Sequence, residues 1–360
     1  MDSYNRSTRI FVFALVLVLS LGVVAAAYAL AHTVNRQDDQ PVPLNCSSID
    51  NLQTDDKYIY FYVDDVLYCY GENGELNWQQ VLGPGADYRV YESGVAAWQG
   101  TQLFLIAKDG SMLYSGALNT EISSCALCSN YAAVETVSNG QNVLQVIEHN
   151  GKVIDTLDMS SLTLLDYGFF SDNAMMWVMT LNTEGTTPLT QVDTYQPARF
   201  QTGSIPDSTQ VIYKVVLDNN ELVLIGTDTL SRYSYTGKEV SGSSRLIYGW
   251  YFMDAYVSSS RQAYVFAPMR ELNDSISIKN MRVITGSDDY TVHFQLPCMS
   301  IHAGADAAYA LSNQYVFKNV YGEKNTLAYE LPIHVDQVVA FTDDMAVVVS
   351  EQRVYLINLP

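Results

Sequence analysis

Cys125-Ala126-Leu127-Cys128 has the spacing of a dithiol redox motif or of half a zinc site. Either chemistry needs more than spacing. A structural zinc calls for a matching second pair, and the other cysteines, Cys46, Cys69 and Cys298, stand singly. A dithiol oxidoreductase calls for a βαβ surround, which the neighbouring residues do not supply. Five is an odd number, so at least one thiol has no partner within the chain. In an extended strand, residues three apart face opposite sides, so a bridge between Cys125 and Cys128 requires a turn there. Three readings stay open for this pair: small buried side chains, a structural disulfide, and redox chemistry.

His149, His293, His302 and His334 lie in separate stretches of the chain, and His293 and His302, nine apart, match no metal-ligand spacing. Each reads as a strand or loop residue. Asp64-Asp65, Asp288-Asp289 and Asp343-Asp344 offer paired carboxylates to calcium, but aspartate is also what β-turns favour, and turn chemistry is the reading carried forward. Exposed tyrosines build sugar or peptide platforms. Among the 26 tyrosines, however, Tyr58, Tyr60, Tyr62, Tyr68 and Tyr70 recur at even spacings, which suits packing within a sheet. No Gly-x-Ser-x-Gly elbow, His-Glu-x-x-His helix, glycine-rich phosphate loop or EF-hand loop occurs. No catalytic, cofactor-binding or metal-ligating residue is therefore assigned, although sets gathered from separate loops leave no local signature.

The elements that must position any such set are strands. Hydrophobic residues make up 48% of the 360-residue chain and charged residues 16%, which predicts a folded body rather than disorder. The net charge of −20 repels phosphate backbones and excludes nucleic acid as a partner class. From Ile49 onward, apolar residues alternate with a period near two and are interrupted every eight to twelve residues by Gly, Asn, Asp and Ser, with no long amphipathic helix.

One hairpin recurs. Tyr68-Cys69-Tyr70-Gly71-Glu72-Asn73-Gly74-Glu75-Leu76-Asn77-Trp78 reads as strand, tight turn and strand, since Asn and Gly tolerate positive φ. The figure returns at Gly110, Gly151, Gly237 and Gly322, with separations of 36, 41, 86 and 85. The long gaps are twice the short ones, so the repeat is near 41 residues, with skipped turns near Asp193 and Gly286. Four strands in such a unit is the length of a β-propeller blade. Blades are predicted to begin near Ile49, Tyr88, Glu121, Leu162, Gln210, Leu246, Met299 and Ile333, eight in all, with seven as the alternative count. The last is short, so closure needs a strand from the amino side, around Pro41 to Asn45.

Ile10 to Ala31 is a run of 22 residues without charge, and as a helix it spans roughly 33 Å, enough for a bilayer core. Arg6 and Arg9 precede it, so the positive-inside bias predicts a cytoplasmic end at residues 1–9, a signal-anchor helix at 10–31 contacting the lipid bilayer, a stalk at 32–48 and an extracytoplasmic propeller at 49–360. The competing reading is a signal peptide cleaved at Ala29-Leu30-Ala31. The length of the apolar run favours retention in the membrane.

The turns Asn73-Gly74-Glu75-Leu76-Asn77-Trp78 and Tyr235-Thr236-Gly237-Lys238-Glu239 resemble the quinoprotein-type, WD40-like propeller repeat, in which a tryptophan follows the turn and docks on a neighbour. Only Trp78 supplies that tryptophan. The overall layout also resembles membrane-anchored propeller proteins of Gram-positive bacteria. Quinone-cofactor dehydrogenases of this kind carry adjacent cysteines, which this chain lacks, so no cofactor is predicted. The repeat and the absence of catalytic motifs predict a non-enzymatic binding or scaffold module with a protein or cell-envelope partner. The alternative is an extracytoplasmic hydrolase or lyase whose groups gather in the propeller funnel.

Overall fold

The computed structural model describes residues 35–36, 40–138, 140–170, 175–218, 220–272 and 277–360. The stretch 10–31, read above as a signal-anchor helix, lies outside them. No helix among the described residues is long and apolar enough to cross a membrane.

Eight sheets follow one another along the chain, six of them made wholly of consecutive antiparallel strands. Their first strands are Gln53–Thr54, Asp87–Tyr91, Glu121–Leu127, Thr163–Phe169, Ile212–Asp218, Trp250–Val257, Ser300–Ala303 and Gln337–Phe341. We number the blades 1 to 8 in that order. The eight-blade count therefore holds, and every first strand begins within four residues of its predicted start. Blade 8 takes three strands from the carboxyl end and its fourth from the amino side, where Val42–Leu44 pairs antiparallel with Val354–Leu356. Blade 7 gains a fifth strand, Asn35–Arg36, parallel to Tyr329–Glu330.

Burial explains why the strands read as they do. Second strands such as Gly94–Gln99 and Ala307–Leu311 are covered on both faces and are continuously apolar. Fourth strands such as Met112–Ala117 lie on the rim and mix polar with apolar residues. The core is not one mass but eight clusters, each at the seam between two neighbouring blades. At the closing seam Leu44 and Leu356 of blade 8 pack on Ile59, Phe61 and Tyr70 of blade 1. A single sheet cannot bury both its faces, so stability depends on the ring being complete.

The recurring glycines are where each rim strand meets the next blade. In blade 1, Gly71 N donates to Glu75 O and Gly74 N to Gly71 O, with Asn73 Oδ1 accepting from Glu75 N. The same pattern repeats at Gly110 and Gly151. At Gly110, φ is +83° and a Cβ would stand 2.5 Å from Trp78 Cγ, while Trp78 Nε1 donates to Lys108 O at 2.9 Å. Tyr114 sits against Gly151 in the same way, and Val42 against Gly74. Glycine thus serves twice here, for the left-handed backbone and for the approach of the neighbouring side chain. The turn missing from the blade 4 sequence is Gln196 to Arg199, where Ala198 takes φ of +60° and its N–H is held by Asp155 of blade 3 at 2.9 Å.

Candidate functional site: the central channel

The eight first strands surround a channel. Five of them, in blades 3, 4, 5, 6 and 8, carry a one-residue bulge at Ser123, Leu165, Tyr213, Met253 and Val339. Bulges re-aim side chains, and in these strands the residue after the bulge is Ser124, Asp166, Lys214, Asp254 or Ala340. Of these, Asp166, Lys214 and Asp254 bring charged groups to the channel wall. Two cavities occupy it, of about 1100 Å³ against blades 1 to 6 and about 760 Å³ against blades 5 to 8 and 1. Both include turn residues between first and second strands, Glu92 and Ser129 in one, Asp56 and Asp343 in the other. They open at that end, which we call the mouth.

The two walls differ in charge. Arg89 and Lys214 stand with Glu92 and Asp166 around the larger cavity. Its tyrosines act as rivets between blades: Tyr91 Oη donates to Cys125 O at 2.7 Å, and Tyr167 Oη lies 2.6 Å from Ser124 Oγ. Burial pushes both phenols above their ordinary range, so they stay neutral. The smaller cavity holds His302, beside Asp254, which lines both cavities. His302 Nδ1 lies 2.5 Å from Asp254 Oδ2, which also accepts Ala303 N at 3.1 Å and so ties blade 6 to blade 7. The carboxylate can only accept from the ring, so Nδ1 carries the hydrogen. His302 Nε2 is buried without a hydrogen-bond partner, and the ring stacks on Phe341 at 4.6 Å.

Beside this pair, Asp343 N donates to Asp56 O at 3.0 Å across the closing seam, and Thr342 Oγ1 donates to Glu72 Oε1 at 2.7 Å. Burial, then the charge of Asp56, raises the Asp343 carboxyl above its ordinary value, with Asp344 and Glu72 adding to the rise and His302 opposing it. Among the described residues, no cation pairs with Asp56, Glu72, Asp343 or Asp344. The seam is an uncompensated acidic patch.

The sequence-derived candidates fall elsewhere or into this wall one at a time. No disulfide joins any of the five cysteines, and burial pushes the thiols of Cys69 and Cys298 up to about 12. Such thiols are inert at neutral pH. Asp64 and Asp65 form a tight turn, both at positive φ, and Asp289 pairs with Arg282 at 2.7 Å. His149 bonds Cys128 O, and His293 bonds Asn280. His302 and Asp343, read as strand and turn residues, are that and also line the channel. Asp254 was not singled out. It lies 48 residues before His302, about one repeat, and the only signal pointing to it is a polar side chain on a predicted innermost strand.

No group of three or more His, Cys, Asp or Glu among the described residues is arranged to hold a metal ion. Asp254 and His302 form the orienting half of a general base, but no hydroxyl or thiol nucleophile bonds to the imidazole.

No protein-family model matches this chain, and no curated protein does either. Solved structures do. The C-terminal WD40 domain of Sif2 superposes with a TM-score of 0.59 at 11% identity, covering 91% of this chain and 99% of that one. Sqt1 of Saccharomyces cerevisiae gives 0.58 at 8% identity, over 91% and 100%. BamB from Moraxella catarrhalis gives 0.48 at 9% identity, over 89% and 96%. The chain has the eight-bladed fold of the WD40-like propellers, and at these identities the likeness is one of fold.

Proposed function

We propose that this protein is a membrane-anchored propeller outside the cytoplasm that acts as a non-enzymatic binding or scaffold module at the cell envelope, with the channel mouth as its docking face. The observation that carries the docking face is the pair of cavities opening at one end of the ring, lined by side chains that the bulged inner strands turn inward. The anchor rests on the uncharged run Ile10 to Ala31 and the two arginines before it. Propellers such as the WD40 domains offer rigid loop-rimmed faces, and that geometry suits a protein partner.

Membrane-impermeant biotinylation of intact cells tests the topology: exposed lysines such as Lys57 and Lys152 are expected to label. Full-length protein, solubilised from membranes after cross-linking, is then expected to retain a specific envelope partner. Labelling only after lysis refutes the location, and retention of nothing beyond abundant nonspecific species refutes the docking role.

The Asp254–His302 pair favours a second reading, a hydrolase or lyase acting in the smaller cavity. It requires turnover of an envelope polymer that Asp254→Asn abolishes while the fold is retained.

A further inference from the structure

We propose that the acidic seam between blades 8 and 1 receives a single ammonium or guanidinium group on a side chain of the partner; this inference rests on the channel mouth being the docking face. Two independent observations meet there. The first is the patch of Asp56, Glu72, Asp343 and Asp344, to which no cation pairs among the described residues. The second is His302, whose side chain is 9% exposed and lines the same cavity, and whose Nε2 has no partner. In the neutral ring, with Nδ1–H given to Asp254, Nε2 offers a lone pair. The unsatisfied groups of this wall are therefore all acceptors, and they call for a ligand that is all donors. Basic side chains meet that description: Lys has three N–H donors, Arg five, and neither has an acceptor.

A divalent metal fits less well, because no three ligands converge. A basic group with several N–H bonds instead suits acceptors spread over two blades. In the larger cavity Arg89 and Lys214 stand among Glu92, Asp166 and Asp254, whereas the seam's carboxylates have no such cation beside them among the described residues, and the overall charge of −20 draws a cation toward the mouth. The like charges that raise the Asp343 carboxyl are relieved when a cation enters.

The test uses the full-length protein and a fluorescent, end-capped pentapeptide, Gly-Gly-Arg-Gly-Gly, at low salt, with the citrulline analogue, spermidine and calcium as further arms. Saturable binding of the arginine peptide is expected, weakened about tenfold by Asp343→Asn, since charge-assisted hydrogen bonds are the strong ones. Glu184→Gln, in an exposed loop away from both channel cavities, is expected to change nothing. Asp56→Asn, at an exposed position, repeats the test if Asp343→Asn lowers the melting temperature. Equal affinity for the citrulline peptide, indifference to both aspartate variants, or binding of spermidine or calcium without the peptide overturns the inference. Envelope partner capture that persists while the peptide fails to bind overturns this inference alone, whereas failure of capture overturns the docking face as well.

Discussion

Trp78 and Gly110 meet across the seam of blades 1 and 2, and each residue type answers to the other. Trp78→Ala leaves the indole's space empty, and the expected cost is about 3–5 kcal/mol, seen as a large fall in melting temperature. Trp78→Phe keeps most of the packing and loses the bond to Lys108 O, about 1 kcal/mol. Gly110→Ala is expected to be worse than Gly322→Ala, since both glycines have positive φ but a Cβ at Gly322 meets nothing within 4 Å. Equal losses at the two glycines would contradict the docking account. Asp343 makes a prediction in pH. Its carboxyl is raised in the fold, so its contribution to stability is fully present below the ordinary aspartate value near 3.8 and is lost as pH rises through the raised value. Asp343→Asn is therefore expected to melt above the parent at pH 7 and no higher than the parent at pH 3. Trp78 was legible because its turn lies next to it in sequence. Tyr114, which does the same work, was not, because tyrosine is so common in the strands that one of them carries no mark.

At the scale of the strand and hairpin, period-two alternation and Asn-Gly or Asp-Gly turns were enough to mark the blades, because turn chemistry is local. The blade 4 turn escaped, since Ala198 reaches positive φ through its N–H bond to Asp155, a contact from another blade that leaves no local trace. The bulges of the inner strands escaped for a similar reason: an extra residue within an alternating run looks like noise until the register is known. The strand Val42–Leu44 carries two consequences. Leu44 is buried at the closing seam, and the strand covers the edge of Arg353–Asn358. A chain starting at Ile49 lacks both, and is expected to lose the cooperative melting transition that a chain starting at Gln40 retains. Indistinguishable calorimetric melting of the two chains would show that the ring does not need this strand.

For the whole molecule, the ring has no central core of its own. Eight seams each bury what one sheet leaves bare, and the space they surround is open at the mouth, with charges of both signs on one wall and mainly carboxylates on the other. The existence of the channel followed from the repeat, but its chemistry did not. Asp254, His302 and Asp343 come from three consecutive blades, and only the packing of those blades side by side brings them to one cavity. The central claim is that partners dock at this mouth. A photo-cross-linking residue placed in turn at Glu92, on the mouth, and at Asn119, in the exposed loop at the opposite end, tests it most directly in living cells. Discrete adducts from position 92 and none from position 119 are predicted. Adducts from position 119 alone would contradict the account.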